Sequence, residues 1–474
     1  MHRTPFITAG VLLLAGCATD SHRTALDFAG ELPPRWTTPS EGTGQAPAYW
    51  WHTFRDDRLS EAIGHALAAN PDVWSAAARL EAAWEQAKIA GADQWPQIGL
   101  SGGLSSSKMN LSRFGVEIPN MPDSFLSQSH NLTLGAQWEL DMWGRIRAGK
   151  RLARANALGR AAEFAGARHS LAGQVAKAWM LAIESKQQAR LAKFAVSTHE
   201  TTVAQVQARF EQGILSAMEL RLAKANLAGS EAQAADLESV AGQSIRSLEV
   251  LLGQFPANKL AVPEALPLLP AAIPAGVPAQ ILSRRPDLVA AEQGLFATGA
   301  TLLQAKASLY PRISLTASGG TSTTDLSELL ASDSVVWNVA ANLTQPVFQA
   351  GRLRANVRLQ QANLKAAEES FRSTMLQAMG EVENALDAAQ LLAVIDTALG
   401  TAYEQSQAAA QTAQDRYDRG LGNLIELLET RRRAITAEGR WWSARRRQLE
   451  NRVNLHLALG GGFETLKKDG TARQ

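Results

Sequence analysis

Two stretches of this chain repeat each other in register, and a chain written twice has to fold as two matching units. Asn70-Pro71-Asp72-Val73 aligns with Arg285-Pro286-Asp287-Leu288, and Trp95-Pro96-Gln97-Ile98 with Tyr310-Pro311-Arg312-Ile313, both at an offset of 215. Further along the offset becomes 207: Gly144-Arg145 aligns with Gly351-Arg352, Arg209-Phe210-Glu211-Gln212-Gly213 with Arg416-Tyr417-Asp418-Arg419-Gly420, and Gly253 with Gly460. The first copy therefore carries eight additional residues between about Ser105 and His130, where an exposed loop tolerates them. Between the copies, Pro256, Pro263, Pro267, Pro270, Pro274 and Pro278 break helix and ladder alike and predict an extended connector.

Each copy reads as helix, strand pair, long helix, long helix. Asn131 to Asp141 alternates with period 2, placing Leu132, Leu134, Ala136, Trp138 and Leu140 on one face and Asn131, Thr133, Gln137, Glu139 and Asp141 on the other. Trp337, Val339, Ala341, Leu343 and Val347 repeat the pattern against Asn338, Asn342 and Thr344. Ile98, Leu100 and Leu104, and Ile313, Leu315 and Ala317, mark weaker partner strands. Such alternation commonly means a soluble sheet with one wet face. Trp95, Trp138, Trp143, Tyr310, Trp337 and Phe348 near the strand ends favour a membrane sheet with interfacial aromatic girdles. After each second strand the period turns helical. No proline falls between about Ile146 and Ala208, so that helix would reach roughly 95 Å. Val357, Leu364, Phe371, Ala378 and Ala385 recur every seven residues among alanine and small polar residues, a seam for close coiled-coil-like packing.

The apolar run Phe6 to Ala15 with Arg3 before it reads as a secretion signal. It is about half as long as the stretch of ~20 residues needed to cross a bilayer. It stops at Leu14-Ala15-Gly16-Cys17, and Cys17 is the single cysteine of the chain. The arrangement resembles a bacterial lipobox, whose cysteine is acylated and becomes the mature N-terminus; the plainer reading is an ordinary signal with an incidental cysteine. Ala18, standing where aspartate favours inner-membrane retention, points to the outer membrane. No disulfide is then available, so stability rests on packing. The net charge is +2, from which cleavage of a leader carrying Arg3 takes one, and no concentrated basic face argues for nucleic acid. No stretch after the signal approaches the run of about 18 consecutive apolar residues that marks a spanning helix, so membrane entry is expected as strands.

The expected layout is a signal peptide at 1–16, a lipid-anchored tether at 17–55, and a first repeat at 56–253 with a strand pair near 97–141 and a helical hairpin near 143–253. The connector at 254–278 leads to a second repeat at 279–462, with a strand pair near 311–348 and a hairpin near 350–460, then a tail at 463–474.

Catalytic signatures are absent. Gly99-Leu100-Ser101-Gly102-Gly103 fits a nucleophile-elbow pattern but lacks the helix that must follow it. The eight histidines are scattered without ligand spacing, and no glycine loop would cradle a phosphate. Arg431-Arg432-Arg433 and Arg445-Arg446-Arg447 spread around a helix, as solvated faces or inter-helix ion pairs do. No enzyme and no cofactor beyond a covalent lipid on Cys17 is expected.

Together these features resemble the TolC-like outer-membrane factor family, in its NodT-type lipoprotein branch. The motifs are Trp50-Trp51-His52-Thr53-Phe54 with Asp57 and Leu59, the duplicated Pro-Asp sites at 71–72 and 286–287, Arg209-Phe210 through Gly213, Arg416-Tyr417 through Gly420, and Ala458-Leu459-Gly460-Gly461-Gly462. The resemblance covers essentially the whole mature chain. It implies a mainly α fold with a transmembrane β portion, in which three subunits share a twelve-stranded β-barrel and a hollow periplasmic α-barrel. Four strands alone would leave two unpaired edges in lipid, which agrees with closure by oligomerisation.

The resemblance further implies a passive exit duct, fed by an inner-membrane transporter through a periplasmic adaptor protein and conducting drugs, solvents or other toxic organics. Gly213 and Gly420 would lie at the periplasmic tips. Arg209, Phe210, Glu211, Arg416, Tyr417, Asp418, Arg419 and Gly422 would join them as adaptor contacts. Constriction positions map onto Glu426 and Glu429, and a gate position of the first hairpin onto Glu219; three copies of each would form cation-concentrating rings. Glu429 has Arg433 at i,i+4, whereas Glu426 has no such partner along its helix. Gly422 stands where some relatives place a charged latch residue, which leaves Arg419, Asp418 and Glu211 as tip candidates. Alternatives are a duct for secreted polypeptide or metal ions, or a structural coiled-coil lipoprotein without a pore. The two-faced strands discriminate against the last.

Overall fold

The computed structural model describes residues 28–30, 32–39, 47, 49–110 and 124–461. Cys17, the signal and the C-terminal tail lie outside the described residues. Helix α1 spans Asp57–Ala69 and α2 spans Pro71–Ala92; strands β1 (Gln97–Asn110) and β2 (Ser124–Leu140) follow. Helices α3 (Arg145–Glu211) and α4 (Ala217–Leu251) complete the first copy. After the connector and a single helical turn at Ile281–Arg284 come α5 (Pro286–Ala307), β3 (Arg312–Thr323), β4 (Val335–Thr344), α6 (Arg352–Asp418) and α7 (Leu424–Ala458).

The duplication holds residue by residue. Helices α3 and α6 are each 67 residues, α4 and α7 each 35, and every boundary differs by 207; α2 and α5 are each 22 residues at an offset of 215. Proline opens both α2 and α5, where a missing N–H costs nothing. Left-handed Gly144 and Gly351 precede the two long helices. Asp141 then caps α3. Its carboxylate accepts from the amides of Ile146 at 3.0 Å and Arg147 at 2.8 Å.

The four strands form one antiparallel sheet in the order β1-β2-β3-β4. The register places Ile98, Leu100, Leu134, Ala136, Trp138, Leu315, Ala317, Val339 and Leu343 on one face. The other face is mostly Gly, Ser, Thr, Asn and Gln, including Ser101, Thr133, Thr316 and Asn342. Strand β4 ends at Thr344, so Val347 lies beyond it, contrary to the alternation extrapolated to that residue; Pro346 has no N–H to continue a ladder. Trp143 stacks on Tyr310 at 4.9 Å and donates its indole N–H to Pro311 O at 2.8 Å. That contact ties the two copies together where strands meet helices. The additional residues of the first copy fall in the longer β1–β2 hairpin, whose connecting residues 111–123 lie outside those described.

Two cores girdle the middle of the long helices. One packs Trp50, Phe54, Leu59 and Ile63 against Val175, Met180, Ile183, Leu248, Leu449 and Val453. The other packs Phe28 and Ile273 against Leu288, Leu295, Phe371 and Val382. The N-terminal segment is pinned to this second core: Glu383 accepts from the amides of Thr37 at 2.6 Å and Thr38 at 3.0 Å. Between the copies, α3 meets α7 through a charged network. Glu184, almost fully buried, accepts from Ser443 and Arg446, and Arg446 also pairs with Glu450 at 2.6 Å. Removing one member of a buried pair strands the other, so Glu184→Ala is expected to cost about 3 kcal/mol, whereas the double change Glu184→Leu with Arg446→Met recovers most of it. Denaturant midpoints of the two variants check this.

Helix α6 is long and apolar enough to cross a membrane by length and composition, although it is mostly unburied in a single chain. Leu376, Leu391 and Val394 account for much of that exposure. The repeat equivalents of Leu391 and Val394 on α3 are Glu184 and Gln187, both engaged within the chain, the latter donating to Glu264 O.

Candidate functional site

The two helical hairpins turn at their ends in matching ways. Gly213 and Gly420 both adopt φ 74°. This is the left-handed conformation that favours glycine. In the first turn the amides of Gly213 and Ile214 donate to Phe210 O and Arg209 O, each at 2.9 Å. In the second, those of Gly420 and Leu421 donate to Tyr417 O at 3.0 Å and Arg416 O at 2.8 Å. Helix α4 then starts with a capping box. In it Glu219 accepts from the Ser216 amide at 2.8 Å. Helix α7 starts with Asn423, which accepts from the Glu426 amide at 2.7 Å.

Glu219 and Glu426 are repeat equivalents, as are Arg209 and Arg416, yet the two copies use them differently. Glu219 is spent on its own helix cap. Glu426 pairs with Arg416 at 3.1 Å, a partner that comes across the turn and not along its helix. Arg209 instead lies over the ring of Tyr417, 4.8 Å from its centre. The first hairpin thus grips the second through a cation–π contact. Tyr417 is buried among Val206, Ala223, Leu424 and Leu427, and its hydroxyl has no hydrogen-bond partner. Glu429 is held by Arg433 at 2.7 Å and Arg432 at 2.8 Å, and the Arg433 hydrogen bond in particular lowers its carboxyl pKa. Glu211 accepts from Gln207 at 3.0 Å and Asp418 from Gln414 at 2.8 Å, again equivalent pairs. Arg419 has no carboxylate partner among the described residues.

Gly422 has a local reason to be glycine. Its amide donates to Arg416 O at 3.1 Å, and a Cβ there would meet Tyr417 N at 3.2 Å and Arg416 Cβ at 3.3 Å. The turn that brings Arg416 to Glu426 leaves no room for a larger latch residue.

Sequence reading missed four tip residues. Ile214, Met218, Leu421 and Ile425 are each at least 60% exposed. Ile214 matches Leu421 and Met218 matches Ile425 at the offset of 207, and that recurrence was the signal available for finding them. Exposed apolar side chains duplicated at both tips mark a surface built for contact.

A two-faced sheet at one end, hairpins of about 100 Å hanging from it, and charged and apolar tips at the other define an envelope-spanning channel subunit. The chain belongs to the outer membrane efflux protein family, whose model matches residues 62–254 and 277–461. It is similar to the pyoverdine export outer membrane protein OpmQ of Pseudomonas putida, with 30% identity over 462 residues and 96% of each chain covered. It is also similar to the toluene efflux pump outer membrane protein TtgF of Pseudomonas putida, with 28% identity over 437 residues, covering 92% of this chain and 90% of that one. Among solved structures, the outer-membrane channel OprN superposes with a TM-score of 0.82 at 26% identity, covering 93% of this chain and 98% of the other.

Proposed function

We propose that three copies of this chain close into one duct that passively conducts small toxic compounds out of the cell, fed by an inner-membrane transporter through a periplasmic adaptor and anchored by lipid on Cys17. The observation that carries this reading is the sheet. One face is apolar and exposed, the other mostly small and polar, and the outer edges of β1 and β4 have no strand partner among the described residues. In lipid each orphan backbone group on those edges costs several kcal/mol, and ring closure with neighbouring copies removes that cost. The relatives' roles in pyoverdine and toluene export agree with small organic cargo.

The closed mouth is held by the Arg416–Glu426 pair, supported by the Arg209–Tyr417 contact, and adaptor docking on the exposed tips displaces them. Planar-bilayer recordings test this. Glu426→Ala and Arg416→Ala are expected to raise closed-state conductance by about threefold or more, and Glu426→Ala also to weaken cation selectivity. Unchanged conductance and selectivity in both variants would remove these residues from the gate. A purified product that is monomeric in detergent and never conducts would end the duct reading itself.

A further inference from the structure

The helices stand side by side in the order α4, α3, α7, α6, and a hollow of about 530 Å³ is bordered by all four. A hollow that reaches Gln233 and Leu237 at one flank of the row and Leu399 at the other lies on its concave side. Helix geometry gives the same answer. Trp442 and Leu449 of α7 pack toward the core that contains Trp50 and Phe54. Arg440 and Arg447 each stand two residues earlier, about 200° around the helix. The arginines therefore point away from the girdling core. Once the row closes on neighbouring copies, the side they face is the bore.

The lining of this hollow includes Arg432, Arg440 and Arg447 and no carboxylate. They are spaced roughly 12 Å and roughly 10 Å apart along α7. Arg432 is neutralised by Glu429 at 2.8 Å. Arg440 and Arg447 have no carboxylate partner among the described residues; Arg447 makes only a 3.4 Å hydrogen bond to Ser443 O. The lining between them is part apolar, from Leu191, Ala195, Leu237, Leu399 and Ile435, and part polar, with Gln188, His199 and Gln233 among the polar residues. The fold does not demand this chemistry. The equivalent positions of α4 are Ala225, Gln233 and Val240, and that helix has the same length. Isolated arginines on a helix are ordinarily solvated surface. Here two of them share a concave, carboxylate-free hollow with a part-apolar lining, and their counterparts in neighbouring copies would face them across one tube.

We propose that this hollow is a binding site for amphiphilic organic anions, molecules with a carboxylate or sulfonate on an apolar body, and that Arg440 and Arg447 make the bore favour such cargo. The guanidinium fork binds the oxyanion while the leucines take the hydrocarbon. The cargo preference rests on the duct reading; the binding site does not.

Titration of 1-naphthoate into the purified detergent-solubilised protein tests the site without any current. The double variant Arg440→Gln with Arg447→Gln is expected to bind naphthoate about tenfold more weakly than the parent, and Arg440→Lys with Arg447→Lys to lose less than half of that, since Lys keeps the charge but not the fork. Naphthalene, which lacks the charge, should bind all three alike. Equal naphthoate affinity in the parent and the Gln variant, or no binding to either, overturns the proposal. In planar bilayers a tenfold potassium benzoate gradient reads selectivity, where the Gln variant should lose about threefold in the benzoate-to-potassium permeability ratio. Conduction with an unchanged ratio overturns the cargo preference. Binding without any conduction instead removes the duct reading and leaves the site.

Discussion

Replacing Gly460 by alanine is expected to destabilise the protein by about 4 kcal/mol, and replacing Gly253 by a similar amount. Two costs add at each position. The conformations are left-handed, with φ 69° at Gly460 and φ 72° at Gly253. A side chain in that region costs on the order of 1 to about 2 kcal/mol. A Cβ at Gly460 would also stand 2.7 Å from Arg284 C and 2.9 Å from Arg285 N, and one at Gly253 would stand 2.7 Å from Ala69 O. Backbone must therefore move, for a further ~2 kcal/mol. The backbone is not free to move. Arg285 donates to Ala458 O at 3.1 Å and Asn70 to Leu251 O at 2.9 Å, locking each hairpin's last turn onto the helix that opens at a Pro-Asp site. The tip glycines provide the control. Gly213 and Gly420 have equally positive φ, but a Cβ at either meets nothing within 4 Å. Alanine there should cost only the conformational part, about 1 kcal/mol. Denaturant or thermal unfolding of the four single variants separates the parts. If all four shifted stability equally, packing at the girdle would have no share in the effect.

The duplicated glycines, the two strand faces and the unbroken long helices were legible because each rests on a local rule: positive φ favours glycine, strands have period 2, and proline breaks a helix. The Arg416–Glu426 pair was not legible. The two residues lie on opposite sides of a turn, and helical periodicity is blind to neighbours created by chain reversal. Repeat equivalence also misleads at this point, since Arg209 reaches Tyr417 of the other copy while Glu219 caps its own helix. Apolar residues of α6 and the tips look like core on a helical wheel. The folded chain leaves Leu391, Leu421 and Ile425 uncovered, because exposure depends on which elements pack beside a residue and not on its place in the helical period. The basic runs divided in the same way. Arg446 is an inter-helix partner, while Arg440, outside both runs, faces a shared hollow.

Acidification from pH 7.5 to pH 5 is expected to remove about 4 kcal/mol of stability through His169 and His456 alone. Burial is the main cause at both sites, lowering His169 to about 4 and His456 to about 3, with the Arg285 charge acting in the same direction at His169 and that of Arg452 at His456. A histidine depressed in the folded state binds its proton first in the unfolded chain. Its contribution is therefore complete above the unfolded value of 6.5 and is lost as pH falls, down to the folded value. At pH 5 neither folded imidazole has titrated appreciably, so each loses about 1.5 pH units' worth, or ~2 kcal/mol, whatever its final folded value. His199, also depressed by burial, adds in the same direction. Glu249, Asp287 and Glu383, whose carboxyls are held below their ordinary values, lose their contributions only at more acidic pH, while Glu438, raised by burial, acts in the opposite sense to the histidines as pH falls. His456 is the cleaner probe. It is buried, stacks on Trp50 at 5.4 Å, and neither ring nitrogen has a hydrogen-bond partner among the described residues. A phenyl ring keeps the stacking and brings no nitrogen into the core, so His456→Phe should match or exceed the parent at pH 7.5 and lose about 2 kcal/mol less on going to pH 5. Unfolding midpoints of the two proteins across that range give the comparison. Parallel pH profiles would show that His456 does not carry the acid sensitivity, and a large loss at pH 7.5 would show that its nitrogens are satisfied by bound water.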